Sequence, residues 1–149
     1  MGNNSYLDPK EAIPKADAAA RKSLELDESL AEAHYALTRN KLSNWDWAGA
    51  EPEYKRALEL SPSYARAHSG YGGFLSRMGC HDQAISEIKR ARDLDPLSIN
   101  WSANLGYCLY FARQYSQAVD QLKKTIEDLA SVLLRRAQSN AAFIQKNSA

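Results

Sequence analysis

The sequence predicts an all-α fold, an array of antiparallel helix pairs, and two observations support this prediction. Residues 50–62, AEPEYKRALELSP, recur in related form 34 residues later at 84–96, and in part 34 residues earlier. A fixed period of this length is typical of a solenoid built from helix–turn–helix units. Breaks rich in proline or capping residues also follow the helical runs at the same interval, near residues 28, 62 and 96.

The first predicted helix covers residues 8–26. Asp8 can cap it, and Pro9 suits the first helical position, where a missing N–H costs no hydrogen bond. Pro14 lies too deep for this role, so it should either distort the first turns or mark the true start of the helix. A second helix follows over about 30–43.

The third predicted helix covers about 47–60, with Asp46 as its cap. Pro52 lies inside this helix, which predicts local strain or a helix that begins nearer to Pro52. The next pair covers 65–77 and 82–94.

Gly79, between the helices of that pair, fits a left-handed cap position. A further helix is predicted over 99–112, and the last begins near Ser116. Because Ala130 stands where the period would place a proline, we expect the last helix to continue past Leu134 to about residue 144.

The same residue types return at each period. The series are alanine at 16, 50, 84 and 118, leucine at 26, 60 and 94, and a small residue after an apolar one at 38, 72 and 106. In this pattern the chain resembles the tetratricopeptide repeat family, which pairs Leu-Gly in the first helix with Ala in the second, followed by Ala-Leu-x-Leu-x-Pro. The small residues indicate where the two helices approach closely. Thr38, Lys41 and Arg113 depart from the family pattern.

The resemblance implies one domain over 1–149, a right-handed superhelical array of about three and a half repeats. It divides the chain into a half repeat, three full repeats and a terminal helix or cap, at 14–30, 31–64, 65–98, 99–132 and 133–146. The string Trp45-Asp46-Trp47-Ala48-Gly49 is similar to repeats attached to bacterial signalling and regulatory proteins, whose output domains have no counterpart in this sequence.

Composition excludes several classes of partner. The formal net charge is +1, so no global field favours nucleic acid, and no apolar run is long enough to cross a membrane. Two cysteines do not make a disulfide framework, so a reducing, cytoplasmic location is expected. Lysines and arginines on the later helices alternate with acids, which indicates a solvated face.

No motif indicates an enzyme, a cofactor or a metal. His34 and His68 are one period apart, which favours a packing role over a metal pair. Cys108 is expected in the core and Cys80 as an exposed thiol at a helix cap. Of the tryptophans, Trp47 is expected between helices.

The resemblance also implies a binding surface for a protein or peptide. The family's groove-facing positions are Glu32, Tyr35, Arg39 and Leu42 in the first repeat, Arg66, Ser69, Gly73 and Arg77 in the second, and Asn100, Ala103, Asn104, Tyr107, Tyr110 and Phe111 in the third. Arginines near tyrosines suit an acidic segment with flat contacts. The chaperone-type carboxylate clamp is not matched, since Tyr35, Gly70 and Asn100 occupy its positions.

A second interpretation is a self-associating assembly module of a larger bacterial regulator. The exposed end helices, around 16–20 or 133–143, would then form a homo-oligomer. This interpretation and the groove interpretation stay open at the level of the sequence.

Overall fold

A computed structural model describes residues 9–147, and all regular secondary structure in this range is α-helical. The seven helices are α1 (Pro9–Leu26), α2 (Ala31–Ser43), α3 (Trp47–Leu60), α4 (Ala65–Arg77), α5 (His81–Leu94), α6 (Ile99–Phe111) and α7 (Tyr115–Asn147). They agree with the predicted helices to within about one residue, except at the C-terminal end of α7. The predicted cap Asp8 lies outside the described residues.

The chain forms two compact units, which meet within α4 at Tyr71 and Gly72. In unit 1, which ends at Tyr71, α2 packs against both α1 and α3. Its buried residues carry mostly small side chains together with two tyrosine rings, namely Ala20, Ala31, Ala33, Leu37, Thr38, Ala50, Tyr54, Ala57, Ala67, Ser69 and Tyr71. In unit 2, which begins at Gly72, α6 packs against α5 and α7.

Close helix approach in unit 2 depends on two glycines of the predicted series. A Cβ on Gly72 would lie 2.7 Å from Ile88 Cγ1 and 2.9 Å from the carbonyl oxygen of Ala84. A Cβ on Gly106 would lie 2.5 Å from a side-chain atom of Leu122. Each glycine therefore allows the following helix to pack against bare backbone.

The alanine series is buried in three of its four members. Ala50 and Ala84 are fully buried and Ala118 is 2% exposed, as predicted. Ala16 is exposed, contrary to the prediction, and Ala20 is the buried alanine of α1. In the described part of the chain no helix precedes α1, so no preceding helix covers Ala16.

The 34-residue period is also visible in the backbone. Trp45, Gly79 and Arg113 stand one period apart, and their φ angles are 60°, 81° and 59°. Gly79 adopts this left-handed conformation without a Cβ penalty, as predicted, whereas Trp45 and Arg113 are strained there. The Trp45 side chain is 77% exposed, and Trp47 is half-buried.

The prolines inside helices do not mark helix starts. Asp46 caps α3 by accepting a 2.8 Å hydrogen bond from the Gly49 N–H, so α3 begins at Trp47 and not nearer to Pro52. Pro14 likewise lies inside α1. At both sites the proline leaves one carbonyl of the preceding turn without a helical partner, and each ring lies at the exposed side of its helix.

α7 is one continuous helix of 33 residues, as the absence of a proline near Ala130 predicted. No described helix is long and apolar enough to cross a membrane.

Candidate partner-binding surface

Four tyrosines of unit 1 form a connected row. The Tyr35 ring on α2 meets Tyr64 edge-on, with centroids 5.5 Å apart, and lies 6.1 Å from the Tyr54 ring on α3. Tyr54 in turn lies 5.6 Å from Tyr71 on α4. Such pairs contribute about 0.5–1.5 kcal/mol each beyond the area they bury, so the row fixes the positions of the outer rings.

Two rings of this row, those of Tyr35 and Tyr54, pack against Gly70. A Cβ at Gly70 would lie 2.8 Å from Tyr35 Cε2 and 3.0 Å from Tyr54 Cε1. The rings therefore pack directly on the α4 backbone. The far end of the row is held by the Tyr71 hydroxyl, which donates to Glu51 Oε1 at 3.3 Å.

Two arginines act electrostatically on the half-buried Tyr35. Burial raises the pKa of the Tyr35 hydroxyl, while the positive charges of Arg66 and Arg39 act in the opposite direction. Burial also raises the pKa of Tyr64, and Arg66 opposes that shift too. Both guanidinium-bearing residues are exposed. Tyr35, Tyr64, Arg39 and Arg66 are called the tyrosine–arginine surface below.

A small apolar pocket adjoins this surface at Arg39. It has a volume of about 200 Å³ and lies between α1 and α2. Its lining residues are Ala12, Ile13, Ala16, Asp17, Ala36, Arg39 and Asn40. The Asp17 carboxylate pairs with Arg21 at 2.8 Å, and this hydrogen bond lowers the pKa of Asp17. The acid in the pocket wall is thus already neutralised by its own arginine.

In unit 2, α6 presents a separate aromatic cluster. Tyr107, Tyr110 and Phe111 are 55–59% exposed. Tyr110 makes edge contacts with Phe111 and with Tyr115, at centroid distances of 5.5 and 5.7 Å. These rings provide flat amphipathic contact area.

The other residues of the predicted surface are placed as follows. Glu32, Arg77 and Asn100 are exposed, and Asn104 is half-buried. Ser69 is only 3% exposed, so its hydroxyl is not presented to a ligand as the resemblance implied. Ser69 lies one turn before the buried Gly72 on α4, so it shares a covered side of the helix.

Tyr64 and the α1 pocket were not found from the sequence. Tyr64 precedes α4, and its period equivalents are Leu30 and Ser98, so an aromatic residue at this position was the available signal. The pocket depends on the exposure of Ala16, which the period did not predict.

The histidines have packing partners. His34 Nε2 contacts the Glu28 carbonyl at 3.3 Å and His68 Nε2 contacts the Pro62 carbonyl at 3.0 Å, so the same contact recurs one period later. His34 Nδ1 also lies 2.7 Å from Glu53 Oε2, and Lys41 pairs with Glu53 at 3.5 Å. That ion pair explains Lys41 at a position where the family prefers an apolar side chain.

The described residues contain no cluster of three histidine, cysteine or acidic side chains that could hold a metal. Both cysteines are free: Cys80 is exposed at the start of α5, and Cys108 is buried. Burial raises the pKa of the Cys108 thiol. Both agree with the predicted positions.

Proteins of known structure and sequence resemble this chain. No family model matches the chain. The structure of MamA superposes with a TM-score of 0.71 at 26% identity, covering 81% of this chain and 71% of MamA. The structure of PilF from Pseudomonas aeruginosa superposes with a TM-score of 0.72 at 26% identity, covering 87% of this chain and 64% of that one.

Two curated relatives share the sequence pattern. The type IV pilus assembly protein PilF of Pseudomonas aeruginosa is 30% identical over 114 residues, which are 75% of this chain and 45% of PilF. The small glutamine-rich tetratricopeptide repeat-containing protein 2 of Mycosarcoma maydis is 32% identical over 103 residues, which are 68% of this chain and 29% of that protein. The chain belongs to the tetratricopeptide repeat family.

The tyrosine–arginine surface is built on α2, on α4 and on the turn before α4. The chain spans less than half the length of the two curated relatives.

Proposed function

We propose that this chain is a non-catalytic interaction scaffold that binds a protein segment at the tyrosine–arginine surface. The segment we expect carries a carboxylate next to a small apolar side chain. The observation behind the proposal is the position of Arg39 and Arg66, both exposed and both acting electrostatically on Tyr35.

Each part of the surface suits one part of such a segment. A guanidinium group forms charge-assisted, often bidentate hydrogen bonds with a carboxylate. A hydrogen bond to a charged group contributes about 1.5–3 kcal/mol net. The rings of Tyr35 and Tyr64 supply flat contact area with few rotatable bonds, so little entropy is lost on binding. The pocket of about 200 Å³ beside Arg39 can take an aliphatic side chain.

Further elements of the proposal rest on the family and on separate observations. The repeat boundaries 31–64, 65–98 and 99–132 remain proposed. The aromatic cluster of α6, with Asn100, is a second contact area belonging to unit 2. A reducing, cytoplasmic location accords with two free cysteines.

Selection from a displayed library of random peptides tests the proposal without a known partner. We expect the chain to enrich peptides in which Asp or Glu adjoins Val, Ile or Leu. The variant Arg39→Glu with Arg66→Glu should bind these peptides at least tenfold more weakly, since two attractive charges become repulsive. Its melting temperature should stay close to that of the unmodified chain, because both side chains are exposed.

A charge-matched control comes from α5. Lys89→Glu with Arg90→Glu makes the same change in net charge at two exposed positions outside the proposed surface. This control should retain peptide binding at moderate salt. Equal losses in both double variants would mean that net charge alone governs binding, and no loss in the arginine variant would refute the surface.

A further inference from the structure

One face of α7 is apolar and exposed along almost half of the helix. Val119, Ile126 and Leu133 are seven residues apart, so they share one face, and Leu129 lies at its edge. They are 49%, 66%, 55% and 39% exposed, respectively. These four residues are called the α7 stripe. Large aliphatic side chains spaced regularly over about four helical turns are more than the scattered apolar residues that a free surface carries.

The first position of the stripe is covered elsewhere in unit 2. Ile85 stands one period before Val119 on α5, and it is only 7% exposed. α5 is packed against the first helix of the following repeat, α6. Among the described residues no helix follows α7, so its face is the one second-helix face of unit 2 that is left open.

The stripe is complementary to itself in the antiparallel direction. When two copies of α7 are laid antiparallel with Ile126 opposite Ile126 of the second copy, Val119 of each comes opposite Leu133 of the other. The three positions are symmetric about Ile126, which is what a two-fold, isologous interface requires.

The charges beside the stripe have the same symmetry. Lys123 and Glu127 lie on one edge of the stripe, on either side of Ile126, and both are exposed. Antiparallel pairing brings Lys123 of each copy near Glu127 of the other. In a parallel two-fold pair this edge of one copy lies on the opposite side of the interface from the same edge of the other copy, so Lys123 and Glu127 would not meet across it. The edge charges therefore favour the antiparallel arrangement.

We infer that the α7 stripe binds a second copy of this chain, as an antiparallel, two-fold helix pair centred on Ile126. The pair buries in the dimer the aliphatic side chains that the single chain leaves exposed on α7. It uses unit 2 alone, so the peptide-binding surface of unit 1 and this interface can succeed or fail independently.

Sedimentation of the whole chain over a concentration series tests the inference. The unmodified chain should show a reversible monomer–dimer equilibrium. Ile126→Glu places two carboxylates against each other on the two-fold axis, and it should weaken dimerisation roughly a hundredfold. Because Ile126 is 66% exposed in the single chain, this variant should keep its circular dichroism spectrum and melting behaviour as a monomer.

Matched variants identify the face and the direction. Ser131→Glu adds the same charge at an exposed position away from the stripe and should dimerise like the unmodified chain. Lys123→Glu and Glu127→Lys should each dimerise poorly alone, yet associate when mixed, since both edge pairs become attractive again. A chain that stays monomeric at every concentration overturns the inference. A dimer that is insensitive to Ile126→Glu, or single charge variants that dimerise normally, would do so as well.

Discussion

Adjacent glycines in α4 give a direct test of close helix packing. Gly72 and Gly73 carry the same residue type in the same helix, but only Gly72 faces α5. A Cβ at Gly73 has no atom within 4 Å, whereas a Cβ at Gly72 meets Ile88 at 2.7 Å and the Ala84 carbonyl oxygen at 2.9 Å. Ile88 and Ala84 are fully buried, and the carbonyl belongs to the backbone of α5, so neither can move aside cheaply.

The magnitudes follow from two opposing effects. Replacing a helical glycine by alanine stabilises a helix by roughly 0.5–1 kcal/mol. Overpacking a filled contact costs about 1–3 kcal/mol. Gly73→Ala should therefore raise the free energy of unfolding by roughly 0.5–1 kcal/mol. The free energy of unfolding of Gly72→Ala should be about 1–3 kcal/mol lower than that of Gly73→Ala. For a chain of this size the two melting temperatures should differ by roughly 2–12 °C.

Thermal and urea unfolding followed by far-UV circular dichroism measure this difference. Gly106→Ala is a useful intermediate, because its Cβ would meet the side chain of Leu122, which can rotate away more easily than backbone. We expect its stability to lie between those of the other two variants. Equal unfolding midpoints for Gly72→Ala and Gly73→Ala would refute the proposed packing of α4 on α5.

Three further predictions concern the backbone, the core and the titration of the tyrosines. Arg113→Gly should raise the unfolding free energy by about 1 kcal/mol, since φ is 59° at this residue, and a lower urea midpoint would contradict this. Ala84→Leu should destabilise by about 1–3 kcal/mol while the exposed Gln83→Leu leaves the midpoint unchanged; equal midpoints would reverse the assigned faces. Burial raises the pKa of Tyr35 above its ordinary value of 10.0. The contribution of the neutral Tyr35 side chain to the free energy of unfolding is therefore complete below pH 10, and it is lost as the pH rises from 10 through the higher pKa of the folded state. Unfolding free energies measured from neutral to alkaline pH should therefore fall less steeply for Tyr35→Phe than for the exposed control Tyr107→Phe, and identical slopes would contradict the prediction.

Features set by local chemistry could be predicted from the sequence. The Asp46 cap, the left-handed Gly79 and the close contacts of Gly72 and Gly106 depend on one residue and its nearest neighbours in the repeat. Because the repeat returns these neighbours every 34 residues, one correct assignment carries over to the others. The helix ends follow for the same reason.

Features that depend on a missing or altered neighbour could not be predicted. Ala16 is exposed because no described helix packs against that side of α1, which periodicity alone cannot show. Pro52 reads as a helix start in isolation, but the Asp46 cap already fixes the start five residues earlier. The burial of Ser69 depends on which side of α4 is covered in three dimensions, which the family position alone does not show.

Some residues of the candidate site could likewise be predicted from the sequence, and others could not. Tyr35, Arg39 and Arg66 followed from family positions, because first-helix residues recur at fixed places in the repeat. Tyr64 did not, since its contact with Tyr35 is a ring-to-ring contact that forms only in three dimensions. The bare backbone of Gly70 under both rings is a further long-range feature of this kind.

The central claim is that a protein segment binds at the tyrosine–arginine surface of unit 1. Its most direct test is an NMR titration of the isotope-labelled chain with a peptide selected for an acid beside an aliphatic residue. We predict the largest shift changes at the guanidinium Nε–H groups of Arg39 and Arg66 and at the Tyr35 ring, saturating together. Changes confined to α3 and α5, with these signals unmoved at saturation, would contradict the claim.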